Sequence, residues 1–169
     1  MNTLRHQQRG VGLIEILVAV LLISIGFLAT ARMQMAGMQY SQSAYYQSQA
    51  YFMASEMIDR MRANSVGVND GFYDDATTSD EATDPNCDTR ACRPSGIALQ
   101  DISDWSEMLY GPAGVDDFNP ILPSTPSAPA SGTITRLAKG RYLITMRWSE
   151  VVDGSDQLQE LPVRFSIEE

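Results

Sequence analysis

The chain has 169 residues, 12 Lys+Arg against 21 Asp+Glu for a net charge of −9, and 44% hydrophobic residues. That length suits one compact domain with one appended element, not two enzyme-sized domains. A single histidine, His6, and two cysteines, Cys87 and Cys92, cannot assemble a four-ligand structural zinc site, and His6 alone is left for an imidazole-assisted nucleophile. No metal or cofactor is implied, and the acidic balance makes nucleic acid an unfavourable partner.

Charge is unevenly distributed along the chain. Residues 1–55 hold one acid, Glu15, and the other 20 acids begin at Glu56. A short polar, basic opening, residues 1–10 with Arg5, His6 and Arg9, precedes a run from Val11 to Ala31 whose only charge is Glu15. As a helix, those residues would extend roughly 31 Å, about one hydrocarbon thickness. Thirteen Val, Leu, Ile and Phe side chains favour insertion by about 6 kcal/mol in total, more than the roughly 3 kcal/mol cost of one acid at mid-membrane. Arg5 and Arg9 lie before the run, which places the amino end on the cytoplasmic side and sends the rest outward.

An ordinary secretory signal would end in a small-residue cleavage site, and Ala29-Thr30-Ala31 is a loose candidate. That reading leaves a carboxylate in the bilayer without a role, and an intramembrane acid marks a functional site with a partner to be named. Gly10-Val11-Gly12-Leu13-Ile14-Glu15, behind the basic leader and ahead of the apolar run, resembles the class III signal of type IV pilins and type II secretion pseudopilins. The resemblance implies that a membrane prepilin peptidase cuts between Gly10 and Val11 and methylates the new amino group of Val11. Val11 stands where that family most often has phenylalanine. Glu15 becomes the fifth residue of the mature chain, and the ammonium at Val11 is its natural counter-charge, in its own chain or a neighbour's, during subunit assembly. Gly12, Ala19 and Gly26 share one helix stripe, which permits close helix approach.

Helical character continues beyond the membrane, since no proline occurs before Pro85. Met53, Met57 and Met61 recur at i, i+4 and i+8, with Tyr46 and Ala50 extending the same face, so this face is expected to pack on a sheet. Arg60 and Arg62 complement the helix dipole in the last turn, and Asn64 is an acceptable terminator. A helix over 11–64 would be roughly 81 Å long. The run Asp59-Arg60-Met61-Arg62-Ala63-Asn64 resembles the end of the stem in minor pilins of the PilV type, a likeness that covers the first 64 residues well and the last 40 loosely.

Residues 65–98 read as an acidic loop with a turn at Asn69-Asp70-Gly71. It lacks the spacing of a calcium-binding EF-hand and is expected to be solvated. Cys87 and Cys92 fall within it, and in an exported head they are expected to form a disulfide. Ile102, Trp105 and Leu109 mark a short helix around 99–110, and the proline-bearing 119–132 reads as an extended surface connection. Period-two patterns around Ile134–Leu137, Tyr142–Ser149 and Leu161–Ile167 give three antiparallel strands, with Pro162 at an edge or strand-start position.

The expected fold is therefore α+β and pilin-like: leader 1–10, membrane or filament-core helix 11–31, helical stem 32–64, and a periplasmic head 65–169 with a small antiparallel sheet. The resemblance implies a non-enzymatic minor pilin that helps to prime assembly of a type IV pilus near its tip. It would sit first in the inner membrane and then in the surface filament. Implied partners are other minor pilins, the major pilin, the prepilin peptidase and the inner-membrane assembly platform. A type II secretion pseudopilin and a membrane-anchored periplasmic binding protein are the alternatives.

Overall fold

The structure, a computed structural model, describes residues 12–78, 84–112, 115, 117–125, 128–152 and 154–167. Its elements are α1 (Leu13–Ala63), α2 (Ser65–Asn69), α3 (Pro94–Tyr110), β1 (Ser131–Ala138), β2 (Arg141–Val152) and β3 (Ser155–Ser166). The architecture is α+β and pilin-like: one long apolar amino-terminal helix and a three-stranded antiparallel sheet in the order β1-β2-β3. Residues 1–41 and 42–169 form two compact units.

In the first unit, every described residue from Gly12 to Thr30 is exposed. Twelve of them are large hydrophobics, from Leu13 to Leu28. The two hydroxyls in this stretch are satisfied within the helix: Ser24 Oγ donates to the Val20 carbonyl (2.7 Å) and Thr30 Oγ1 to the Phe27 carbonyl (2.8 Å). Such back-bonding removes the need for water around a hydroxyl in an apolar medium.

The second unit contains the core. Ala50, Met53, Ala54, Met57, Ile58 and Met61 are the buried residues of α1, so the i, i+4, i+8 methionine face lies where its spacing predicts. Tyr46 packs half-buried against the same cluster. The opposing row is Tyr142, Ile144, Met146 and Trp148 of β2, all buried, with Leu161, Val163 and Phe165 of β3 packed against the cluster. Sheet register confirms the pairing: Ile144 faces Ile134 of β1 and Val163 of β3. Trp105, Ile102 and Leu109 of α3 complete the core. Gly132 is what lets the Trp105 ring lie against β1, because a Cβ there would meet the indole at 2.4 Å.

Three expectations are corrected. The helix expected around 99–110 begins earlier, at Pro94, whose ring occupies the first turn where a missing N–H costs nothing. The 65–98 region is not a plain loop: it contains α2, and its 76–78 stretch pairs with the free side of β1. There Ile134 N donates to the Ala76 carbonyl (2.8 Å), and Thr78 N to the Gly132 carbonyl (2.9 Å). The 119–132 segment is also more than a surface connection, since Leu122 is fully buried, the Pro123 carbonyl accepts from Ser149 N, and Ser131 already belongs to β1.

Candidate functional site

The amino-terminal candidates divide at the limit of the described residues. Gly10 and Val11, the expected cleavage and methylation positions, lie outside them, as does His6. Glu15 lies in the first turn of α1, its backbone N–H donating to the Gly12 carbonyl (2.9 Å). Negative charge is favoured at that end of a helix by the backbone dipole. The stripe of Gly12, Ala19 and Gly26 is open, and a Cβ at Gly26 would meet nothing within 4 Å.

At the other end of α1, sequence reasoning assigned Arg60 and Asn64 only local roles. The structure gives both residues long-range ones. Arg60 Nη1 donates to Asp104 Oδ2 at 2.6 Å and Asp101 Oδ1 at 3.4 Å, while Nη2 and Nε reach Glu56 Oε1 at 3.0 and 3.3 Å. One guanidinium thus fastens α1 to α3. Burial would lower its proton affinity, but the hydrogen bonds to Asp104 and Glu56 outweigh this and hold the guanidinium above its ordinary range.

Asn64 does not terminate α1 by itself. Buried just past Ala63, it caps α2, its Oδ1 accepting from Gly67 N (3.2 Å). Its Nδ2 donates to the Pro94 carbonyl at the start of α3 (2.8 Å) and to the Tyr73 hydroxyl (2.9 Å). Tyr73, fully buried, donates in turn to Asp101 Oδ2. Gly67 is required by this arrangement, since a Cβ would come within 2.4 Å of the Asn64 side chain. Burial and the Asp101 carboxylate together push the Tyr73 phenol well above its usual range. Burial also raises the Asp101 carboxyl, against the opposing effects of the Tyr73 hydrogen bond and Arg60. Buried polar groups of this kind rigidify a fold only when every member is paired, and here each has a partner.

Cys87 and Cys92 form a disulfide. The loop they close is held to α3 through Cys87 N, which donates to Gln100 Oε1 (3.1 Å), and Gln100 Nε2 donates onward to Asp104. Disulfide, Arg60 and Asn64 therefore meet on one helix. A second tie joins the sheet to α2 and the turn after it: Arg136 Nη1 donates to Asp74 Oδ2 (2.9 Å), and the Tyr142 hydroxyl donates to the Val68 carbonyl (3.1 Å). Beside the Arg60 cluster, Phe52, Ser55, Glu56, Asp59, Arg60 and Ala63 line a shallow groove on α1. Among the described residues, no group of three His, Cys, Asp or Glu side chains is placed to hold a metal ion.

Sequence spacing alone offered no signal for the Arg60 pairing, because its partners on α3 lie 41 and 44 residues away. α1 is long and apolar enough to cross a membrane.

Neither a curated protein nor a solved structure matches the chain. Residues 5–31 match the prokaryotic N-terminal methylation motif. That match spans Gly10, Val11, Glu15 and the apolar start of α1. It implies processing by a prepilin peptidase and assembly with pilus machinery, and fits membrane anchoring through α1. The chain carries a prepilin-type signal on a pilin-like α+β fold, consistent with a type IV pilin or pseudopilin.

Proposed function

We propose that this chain is a minor pilin of a type IV pilus, of the PilV type, which primes assembly with other minor pilins and is incorporated near the filament tip. The observation that carries the reading is the amino-terminal stretch itself. Twelve large hydrophobic side chains between Leu13 and Leu28 are exposed, within the methylation motif matched at 5–31. Fully burying such a side chain is worth about 1.5–3 kcal/mol, so the exposed fraction of the twelve represents on the order of 10–20 kcal/mol. That is comparable to the whole stability of a domain. Lipid first, and neighbouring helices later, supply the burial that this stretch lacks.

In this reading the peptidase cuts between Gly10 and Val11 and methylates Val11. The new ammonium then compensates Glu15 when both leave the membrane for the helix-packed filament, because an uncompensated carboxylate is costly in either place. The head, with its core closed by the Met53, Met57 and Met61 face, remains outside the membrane and meets the other subunits. Terminal sequencing of the mature protein, combined with immunolocalisation in sheared filaments, tests the assignment. A mature chain starting at methylated Val11 and found in filaments is expected; a chain still starting at Met1 in an active pilus overturns it. Glu15→Ala is expected to reduce filament incorporation by tenfold or more with processing intact, measured by immunoblot of sheared fractions.

The methylation motif serves a type II secretion pseudopilin equally well. Deletion separates the two: lost twitching supports the pilus, lost export of secreted proteins supports the pseudopilin.

A further inference from the structure

We propose that the outer face of the sheet, at the end bearing Arg141 and Arg164, docks an acidic, extended segment of a protein partner. Side chains alternate across a strand, so with Tyr142, Ile144 and Met146 directed to the core, Arg141 and Leu143 lie on the opposite face. The same alternation in β3, where Leu161, Val163 and Phe165 face the core, puts Pro162, Arg164 and Ser166 outside. Register sets Arg141 opposite Ser166 and Leu143 opposite Arg164. The two arginines are thus diagonal neighbours on one face, roughly 7–8 Å apart, within joint reach of one ligand chain.

Both are exposed. Arg60, Arg62, Arg136 and Arg147 each hold a carboxylate, whereas Arg141 and Arg164 make no ion pair among the described residues. In a chain of net charge −9, Arg141 and Arg164 are two neighbouring guanidiniums on one sheet face that hold no carboxylate among the described residues. Their planar donor forks match carboxylates in bidentate fashion.

The backbone beside them is also open. β3 is the outermost strand, and Ile167 N donates inward to the Gly140 carbonyl. Odd-numbered N–H groups of β3 therefore face β2, and the even-numbered ones, Arg164 and Ser166 included, face outward. Pro162 falls in the outward set, where its missing N–H costs the sheet nothing and interrupts the edge. What remains beyond Pro162 is a short edge segment that can pair with a few residues of an added strand. Alternate side chains of such a strand share the face of Arg164, which selects Asp or Glu at every second position. Nucleic acid is disfavoured, because two arginines neutralise too few phosphates to overcome repulsion from an acidic chain.

The test uses the full chain in detergent micelles and a fluorescent peptide of alternating Glu and Thr, with a Gln-for-Glu peptide as control. Salt-sensitive binding is expected, at least tenfold weaker for Arg141→Ser/Arg164→Ser and for the Gln peptide. The Arg141→Lys/Arg164→Lys chain should bind between the two, and all variants should keep the wild-type melting temperature. Failure of the Glu peptide to bind would overturn the proposal, as would equal binding by wild type and the serine variant. Competition by a single-stranded oligonucleotide as effective as the peptide itself would overturn it in favour of nucleic acid. Salt-sensitive self-association lost in the serine variant, without peptide binding, would overturn it in favour of a second copy.

Discussion

Two groups of methionines on the same helix have opposite fates. Met33, Met35 and Met38 are 77%, 64% and 72% exposed, whereas Met53, Met57 and Met61 are at most 1% exposed. Nothing in the residue type separates them. The second group repeats at i, i+4 and i+8 and meets a sheet and α3 supplied by the same chain. The first belongs to the 1–41 unit, in which no described residue is buried. Helix propensity forms both stretches, but burial depends on tertiary supply, which among the described residues reaches only the second.

That contrast can be tested by paired substitutions in the full chain in detergent, followed by near-UV circular dichroism of the head. Trp105→Ala should cost about 3–5 kcal/mol, because a large buried ring is lost and a cavity remains, whereas Leu21→Ala should leave the head's melting temperature unchanged. Equal losses would show that the two units share one cooperative transition. Asn64→Ala should cost about 3 kcal/mol, near the sum of three hydrogen bonds at roughly 1 kcal/mol each, measured by urea denaturation of the same chain. Cys87→Ser/Cys92→Ser should cost about 2 kcal/mol, the chain-entropy value for so short a loop, and reduction of the wild-type chain should match it.

Asp101 gives the smallest effect, expressed as a pH dependence. Burial raises its carboxyl above the ordinary 3.8, with the Tyr73 hydrogen bond and Arg60 opposing. The folded chain therefore holds that proton more tightly than the unfolded chain does. Its contribution is most favourable below about pH 4 and is lost as pH rises through the raised value. Asp101→Asn cannot titrate, so the melting temperature of wild type relative to this variant should be highest below about pH 4 and decline as pH rises through the raised value.

Much of this was legible beforehand because it is periodic. The Met53, Met57 and Met61 face, the Tyr142–Trp148 alternation and the Ile102, Trp105, Leu109 side of α3 all follow from spacing alone. Its missing donor allowed Pro162 an edge or a strand-start position, and the structure places it within edge strand β3. What could not be read depends on partners distant in sequence. Nothing near Thr78 announces that it will bond Gly132, 54 residues away, and Leu122 looks like any apolar residue in a proline-bearing connection until the core closes over it. The polar ties of Arg60 and Asn64 were hidden for the same reason, since a hydrogen bond imposes no repeat on the sequence around it.

The cysteine pair has a consequence for biogenesis. Two cysteines five positions apart, with no others in the chain, admit a single intramolecular connectivity. A loop of that size closes on a timescale of roughly 100 ns or less, long before the sheet can assemble. Oxidation needs only an electron acceptor: there is no wrong isomer to repair, so maturation of the head places no demand on an enzyme that shuffles bonds.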